Sequence, residues 1–269
     1  MIIKQFILTG VIFLLIGLNN IYGIEPPKSA YFDSNGFKIH YYEQGSGETV
    51  LLLHGFVGGA LRWIETGVMQ GLAQNYHVVA MDARAHGKSD KPRDKNAYGL
   101  ETALDIIRLM DHLELDKVHL VGSSFGVRIG TTILSRYPER FKTATLIGGR
   151  PQWDWTEEKQ TSVEKQAEGF INNPRPYTIE RGLDPTALAY LRLSFPELIV
   201  ESAEKFKALE IPFLLVYGSE EWIHLNGLDK ELQEMLINAR LFIIDGAKHG
   251  ETYPRPEFLT TLKEFLKEN

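Results

Sequence analysis

Four short strand-like runs, at residues 50–53, 78–81, 117–121 and 143–147, recur before residue 150 with helix-like stretches between them, and the first two are apolar throughout. Such brief, uninterrupted runs suit strands buried on both faces. Residues 59–74 read as a helix, and residues 100–113 place Leu104, Ile107 and Leu113 on one stripe with Asp105, Arg108 and Asp111 between them. A third helix is expected over 125–137, stopped by Pro138. Strands and helices in alternation bury their apolar surfaces best as a parallel sheet with helices on both faces. Ligands then meet the carboxyl ends of the strands, so reactive side chains should follow strands directly.

Other segments extend this α/β reading. Residues 30–33 and 37–43, joined by Ser34-Asn35-Gly36, form a hairpin by Asn-Gly turn chemistry. The alternation stops over residues 150–210, where Trp153, Trp155, a charged stretch at 157–168, and Pro174, Pro176, Pro185 and Pro196 occur without a strand-like run. It resumes with strands at 213–217 and 241–244 and helices near 228–237 and 257–267. The expected layout is a core of residues 24–149 and 211–269, with residues 150–210 inserted as a mainly helical lid. At 269 residues and 43% hydrophobic content the chain can bury a sizeable core.

The N-terminal 23 residues have their own pattern. Lys4 precedes an apolar run over 6–18, followed by Asn19-Asn20 and Gly23. This is the layout of a secretory signal, and the run is shorter than the roughly 20 residues of a comfortable membrane span. Export to the periplasm or exterior is expected; the large Ile21 near the cleavage point leaves a membrane tether through residues 2–18 as the alternative. A net charge of −6 disfavours a nucleic-acid partner, and the absence of cysteine removes disulfides, thiol nucleophiles and thiolate metal sites.

The run at 117–121 leads straight into Gly122-Ser123-Ser124-Phe125-Gly126, a G-x-S-x-G pattern between a strand and a helix. Glycines two residues either side of a serine permit a sharp, strained turn that lifts the Ser124 hydroxyl above the sheet. Such a hydroxyl needs an imidazole to take its proton. Only His224 and His249 lie downstream of Ser124, and His249 follows the strand at 241–244 in a loop able to reach over the sheet. His224 comes too soon after its strand. The imidazole in turn needs a carboxylate, for which Glu221, after the strand at 213–217, has the better register. Glu220 is its close rival, with Asp229 and Asp154 behind. The N–H groups of Phe56, after the strand at 50–53, and Phe125 are the expected oxyanion donors. The His54 side chain is read as structural.

With these residues assembled, the sequence resembles the α/β-hydrolase family, in particular its small lidded esterases, lactonases and carbon–carbon bond hydrolases. The likeness rests on residues 51–56 (Leu-Leu-Leu-His-Gly-Phe), residues 81–90 (Met-Asp-Ala-Arg-Ala-His-Gly-Lys-Ser-Asp), the Ser124 elbow, the loop at 218–221 and His249. It implies a Ser–acid–His triad, cofactor-free hydrolysis of a small molecule through an acyl-enzyme, and a lid that shapes the pocket. Ala85 stands where the family usually has glycine, Val127 where a second glycine often follows the elbow, and Glu221 where aspartate is more usual. A serine nucleophile argues against the dehalogenase and epoxide-hydrolase relatives, which place aspartate there.

An ester or related acyl bond of an apolar substrate is the expected target, with pocket walls from Trp153, Trp155, Phe56 and Phe125. Carbon–carbon hydrolysis or perhydrolysis on the same triad is one alternative; a hydrolase fold retained as a binding or sensor module is another. His86-Gly87-Lys88-Ser89 imitates the end of a phosphate-binding loop, but Asp82 stands where its first glycine belongs and would repel phosphate.

Overall fold

A computed structural model describes residues 25–269; the expected signal or tether at residues 1–23 lies outside them. The eight strands are β1 (Lys28–Ser34), β2 (Phe37–Gln44), β3 (Thr49–Leu53), β4 (His77–Met81), β5 (Val118–Ser123), β6 (Phe141–Ile147), β7 (Phe213–Gly218) and β8 (Ala239–Ile244). They form one sheet in the order β1-β2-β4-β3-β5-β6-β7-β8. β1 and β2 are antiparallel, with Asn35 and Gly36 both left-handed at φ 54° and 84° in the turn between them, as a tight hairpin turn requires. From β4 to β8 the strands run parallel.

The apolar runs are buried because both sheet faces are covered. Leu51, Leu53, Val79 and Met81 join one core, while Val50, Leu52, Val78 and Ala80 join the other. Neighbouring residues of a strand point to opposite faces, so a central strand needs apolar residues throughout. Outer β8 is less buried, with only Ile244 fully enclosed.

Two helices differ from expectation. Residues 59–74 form two short helices, Leu61–Glu65 and Val68–Leu72, because Gly67 turns left-handed at φ 75° and breaks the ladder. The helix after Ser124 spans Phe125–Leu134, and its end is tied by the Ser135 N–H to the Thr131 carbonyl before Pro138 is reached.

Between β6 and β7 the described chain carries helices Glu157–Asn172, Pro176–Glu180, Pro185–Leu193 and Ala203–Lys207 and no strand. Two of the prolines that punctuate this stretch, Pro176 and Pro185, occupy first-turn positions, where a missing N–H costs nothing. The Asp184 carboxylate caps the Pro185–Leu193 helix by accepting from the Thr186 and Ala187 N–H groups. Arg93 pairs with Asp184 at 2.8 Å and the Gly99 N–H donates to Ser194 Oγ at 2.9 Å, fastening these helices over the sheet's carboxyl edge. Among the described residues no helix is long and apolar enough to cross a membrane.

Candidate active site

Ser124 sits between the end of β5 and the following helix at φ 51° and ψ −102°, a conformation that costs a residue with a side chain about 1–3 kcal/mol. Two close approaches enforce the sharp turn. A Cβ on Gly122 would lie 2.7 Å from the Gly126 backbone, and one on Gly126 would lie 2.2 Å from the Leu53 carbonyl oxygen. The Ser124 N–H donates to the Ile147 carbonyl at 2.8 Å, so β6 holds the turn from the other side.

The loop after β8 brings His249 across 125 positions of sequence, placing Nε2 3.0 Å from Ser124 Oγ. Glu221, on the loop after β7, is 2% exposed and puts Oε2 3.6 Å from His249 Nδ1. Neither carboxylate oxygen has another hydrogen-bond partner among the described residues. The facing Glu221 carboxylate raises the imidazole above its ordinary range.

The rival acids are committed elsewhere. Glu220 points outward, 3.8 Å from Lys248 Nζ. Asp229 is fully buried but bonds His224 Nδ1 at 2.6 Å, and Asp154 pairs with Lys159 at the surface. Gly148, which the sequence analysis did not single out, lies against the His–Glu pair. At φ 57° its missing Cβ would stand 3.1 Å from Glu221 Oε2 and 3.2 Å from His249 Nδ1. The Gly148-Gly149 doublet directly after a buried strand was its signal.

Phe56 and Phe125 approach each other at the strand ends, their rings 5.6 Å apart and perpendicular. As the first residue of its helix, Phe125 has no intrahelical acceptor for its N–H. Buried histidines shape the Phe56 loop. His54 Nε2 accepts from the Ala83 N–H at 3.1 Å while Nδ1 donates to the Gly55 carbonyl at 2.9 Å, a scaffold role, and burial lowers its pKa. His86, for which sequence suggested no role, accepts from the Val57 N–H at 3.3 Å and donates to the Arg84 carbonyl; burial drives its pKa down to about 3. Both rings are therefore neutral fixtures. Ala85, just before His86, is left-handed at φ 70°, which explains why glycine suits that position.

Ser124 and His249 open into a cavity of about 520 Å³. Its wall combines Phe56, Phe170 and Tyr177 with Gln166, Arg175 and Arg192. Trp153 and Trp155 do not line it, contrary to expectation. Trp153 packs its ring 5.5 Å from that of Phe206, and the Trp155 indole N–H donates to Gln160 at 2.9 Å, so both serve packing within the inserted helices. Phe125, also expected as wall, is 4% exposed and stacks under Phe195. The apolar pocket read from those aromatic residues is thus replaced by a mixed one with two cations. Among the described residues no cluster of three or more His, Cys, Asp or Glu side chains could hold a metal ion.

Comparison with known proteins agrees with this architecture. A family model described as alpha/beta hydrolase fold matches residues 48–178. A 2-hydroxy-6-oxo-6-phenylhexa-2,4-dienoate hydrolase of Burkholderia cepacia is 35% identical over 116 residues, 42% of this chain and 41% of that protein. The match therefore spans less than half the length of that relative. A thermophilic esterase from Thermogutta terrifontis superposes with a TM-score of 0.77 at 20% identity, covering 91% of this chain and 99% of the esterase. A bromoperoxidase from Bacillus anthracis gives 0.75 at 22% identity over 89% of this chain and all of that one. With the strand order and the elbow already established, these likenesses complete the assignment of the architecture: the chain has the alpha/beta hydrolase fold.

Proposed function

We propose that this protein is a serine hydrolase that cleaves a carboxylic ester or related acyl bond through an acyl-enzyme. The observation that carries the reading is the 3.0 Å approach of His249 Nε2 to the hydroxyl of the strained Ser124, at the floor of a cavity. Ser124 Oγ attacks the acyl carbon while His249 Nε2 takes its proton. Glu221, facing Nδ1, holds the tautomer and balances the imidazolium as it forms. The Phe56 and Phe125 N–H groups receive the oxyanion. His249 then protonates the leaving group, and water repeats the sequence in reverse roles to release the acid and restore Ser124.

The long 3.6 Å contact between Glu221 and His249 accords with this cycle, since catalytic hydrogen bonds often tighten only when charge develops. Carbon–carbon hydrolysis on the same groups is a second reading, favoured by the resemblance to the dienoate hydrolase. The test is a panel of activated esters, lactones and a vinylogous diketone, run beside fluorophosphonate labelling of the protein. Labelling mapped to Ser124 with multiple turnover of an ester supports the proposal. Turnover of the diketone alone would transfer it to carbon–carbon cleavage, and no turnover with no labelling would sink both.

A further inference from the structure

The cavity beside Ser124 contains an arginine whose charge no carboxylate among the described residues balances. Arg192, on the Pro185–Leu193 helix, lines the cavity and lies with its guanidinium 4.1 Å from the centre of the Phe56 ring and 4.4 Å from that of Phe195. Its Nε is buried without a hydrogen-bond partner. No carboxylate lies within ion-pairing distance of it among the described residues, whereas the fully buried Arg84 has Asp105 at 2.7 Å. A second guanidinium, Arg128, lies 4.6 Å from the same Phe195 ring and is bonded only to neutral acceptors, the Leu198 carbonyl and Gln152. Burial and this neighbouring cation depress the Arg192 pKa to about 10, which still leaves it charged at neutral pH.

Aromatic faces offset part of the cost of a desolvated cation, but they do not supply a hydrogen-bond acceptor for a donor buried without one. The remaining wall offers the amides of Gln166 and Asn173 but no negative charge. Arg175 adds a further positive charge, and no aspartate or glutamate lines this cavity. Arginine is the side chain best matched to a planar carboxylate, which it can hold by two parallel N–H bonds. Its position also sets the reach. Arg192 packs on the ring of Phe56, the residue whose backbone N–H serves the oxyanion, so an anion held by Arg192 sits a short carbon chain away from the reacting carbonyl.

We propose that the substrate of this site carries a carboxylate besides its scissile acyl bond, and that Arg192 is the residue that receives it. The inference rests on the serine-hydrolase reading and names the substrate class for the same cavity. Arg175, exposed at residue level, draws the anion inward, and the Phe56, Phe170 and Tyr177 rings pack its carbon chain. No step of acyl transfer changes. The carboxylate is a handle, and its binding energy orients the acyl carbon over Ser124.

The test compares monomethyl adipate with methyl hexanoate, which has the same acyl chain length but no charge, by proton release at constant pH. A charge-assisted contact of this kind corresponds to about 10- to 100-fold in kcat/KM. The wild-type protein should prefer the acid ester by that factor. Arg192→Gln and Arg192→Met should collapse the ratio, and Arg192→Lys should restore part of it. In a second measurement, independent of turnover and of any variant, hexanoate should slow fluorophosphonate labelling of wild-type Ser124 at concentrations where hexanamide does not. Intact labelling with no preference for the acid ester and no protection by hexanoate would overturn the carboxylate proposal and leave the hydrolase standing. Absence of both labelling and turnover would overturn the two together.

Discussion

Among the described residues two strings of serine, histidine and acid occur, and only one of them lies at a cavity. In the first, Ser124, His249 and Glu221 meet at 3.0 and 3.6 Å. In the second, Ser29 Oγ lies 2.8 Å from His40 Nε2, and His40 Nδ1 lies 2.7 Å from Asp82. By distance alone the second is the tighter. Yet its serine lies in the regular strand β1, and its acid is fully engaged. Asp82 also accepts the Ala60 N–H at 2.6 Å and the Lys88 N–H at 3.0 Å, pinning the loops after β3 and β4. Burial would raise the Asp82 pKa, but the His40 side chain and these N–H groups outweigh it and hold it at about 2. Glu221, by contrast, keeps both oxygens without hydrogen bonds, and Ser124 is strained. The contrast teaches that a satisfied carboxylate locks a scaffold, whereas one left waiting for a charge suits a reaction.

That contrast can be broken at Ser124 first. Ser124→Ala should lower turnover by about 10⁶-fold and remove fluorophosphonate labelling, while Ser29→Ala should leave both as in the wild type. Label found on Ser29 by peptide mapping would erase the distinction between the two strings. At the acids, Glu221→Gln should cost about 10⁴-fold in kcat, and Glu220→Gln very little, measured on one activated ester. The acid limb of the wild-type pH–rate profile should lie above the ordinary imidazole value, because Glu221 raises the pKa of His249 and the protonated ring cannot accept the serine's proton. Glu221→Gln should move that limb down.

In the scaffold string the effect should appear in stability. Asp82→Asn should cost about 3 kcal/mol in denaturant unfolding by unpairing a buried network. The Asp82 carboxyl is held below its unfolded value, so its contribution of about 2 kcal/mol is present above roughly pH 4 and lost as pH falls toward 2. Loss of activity without loss of stability in this variant would mean that the second string serves the chemistry directly. The smallest change is expected at Ala85, where Ala85→Gly relieves a left-handed alanine and should stabilise the fold by about 1 kcal/mol in thermal unfolding.

Much of this was legible in the residues because it depends on local pattern. Buried strands declare themselves as apolar runs, so β3 to β7 fall within a few residues of where the runs lie. Ser124 is marked by glycines that its turn demands, and His249 by its place after the last strand. The break at Gly67 was less visible, since a lone glycine within a helical pattern does not announce whether it will turn left-handed. The identity of the cavity wall was not visible at all. Trp153 and Trp155 are conspicuous in the sequence, yet their rings pack among the inserted helices, while Arg192 looks like any surface cation of an amphipathic helix.

The amino-acid sequence by itself thus determined the parallel sheet, the strained serine and the histidine that follows the last strand, because each is encoded within a few consecutive residues. Only the tertiary structure decided which carboxylate turns toward His249, which histidines are neutral struts, and that an unbalanced arginine faces the cavity. Those outcomes depend on how helices between β6 and β7 pack over strand ends far away in the chain, and burial and facing partners across such distances have no local signature.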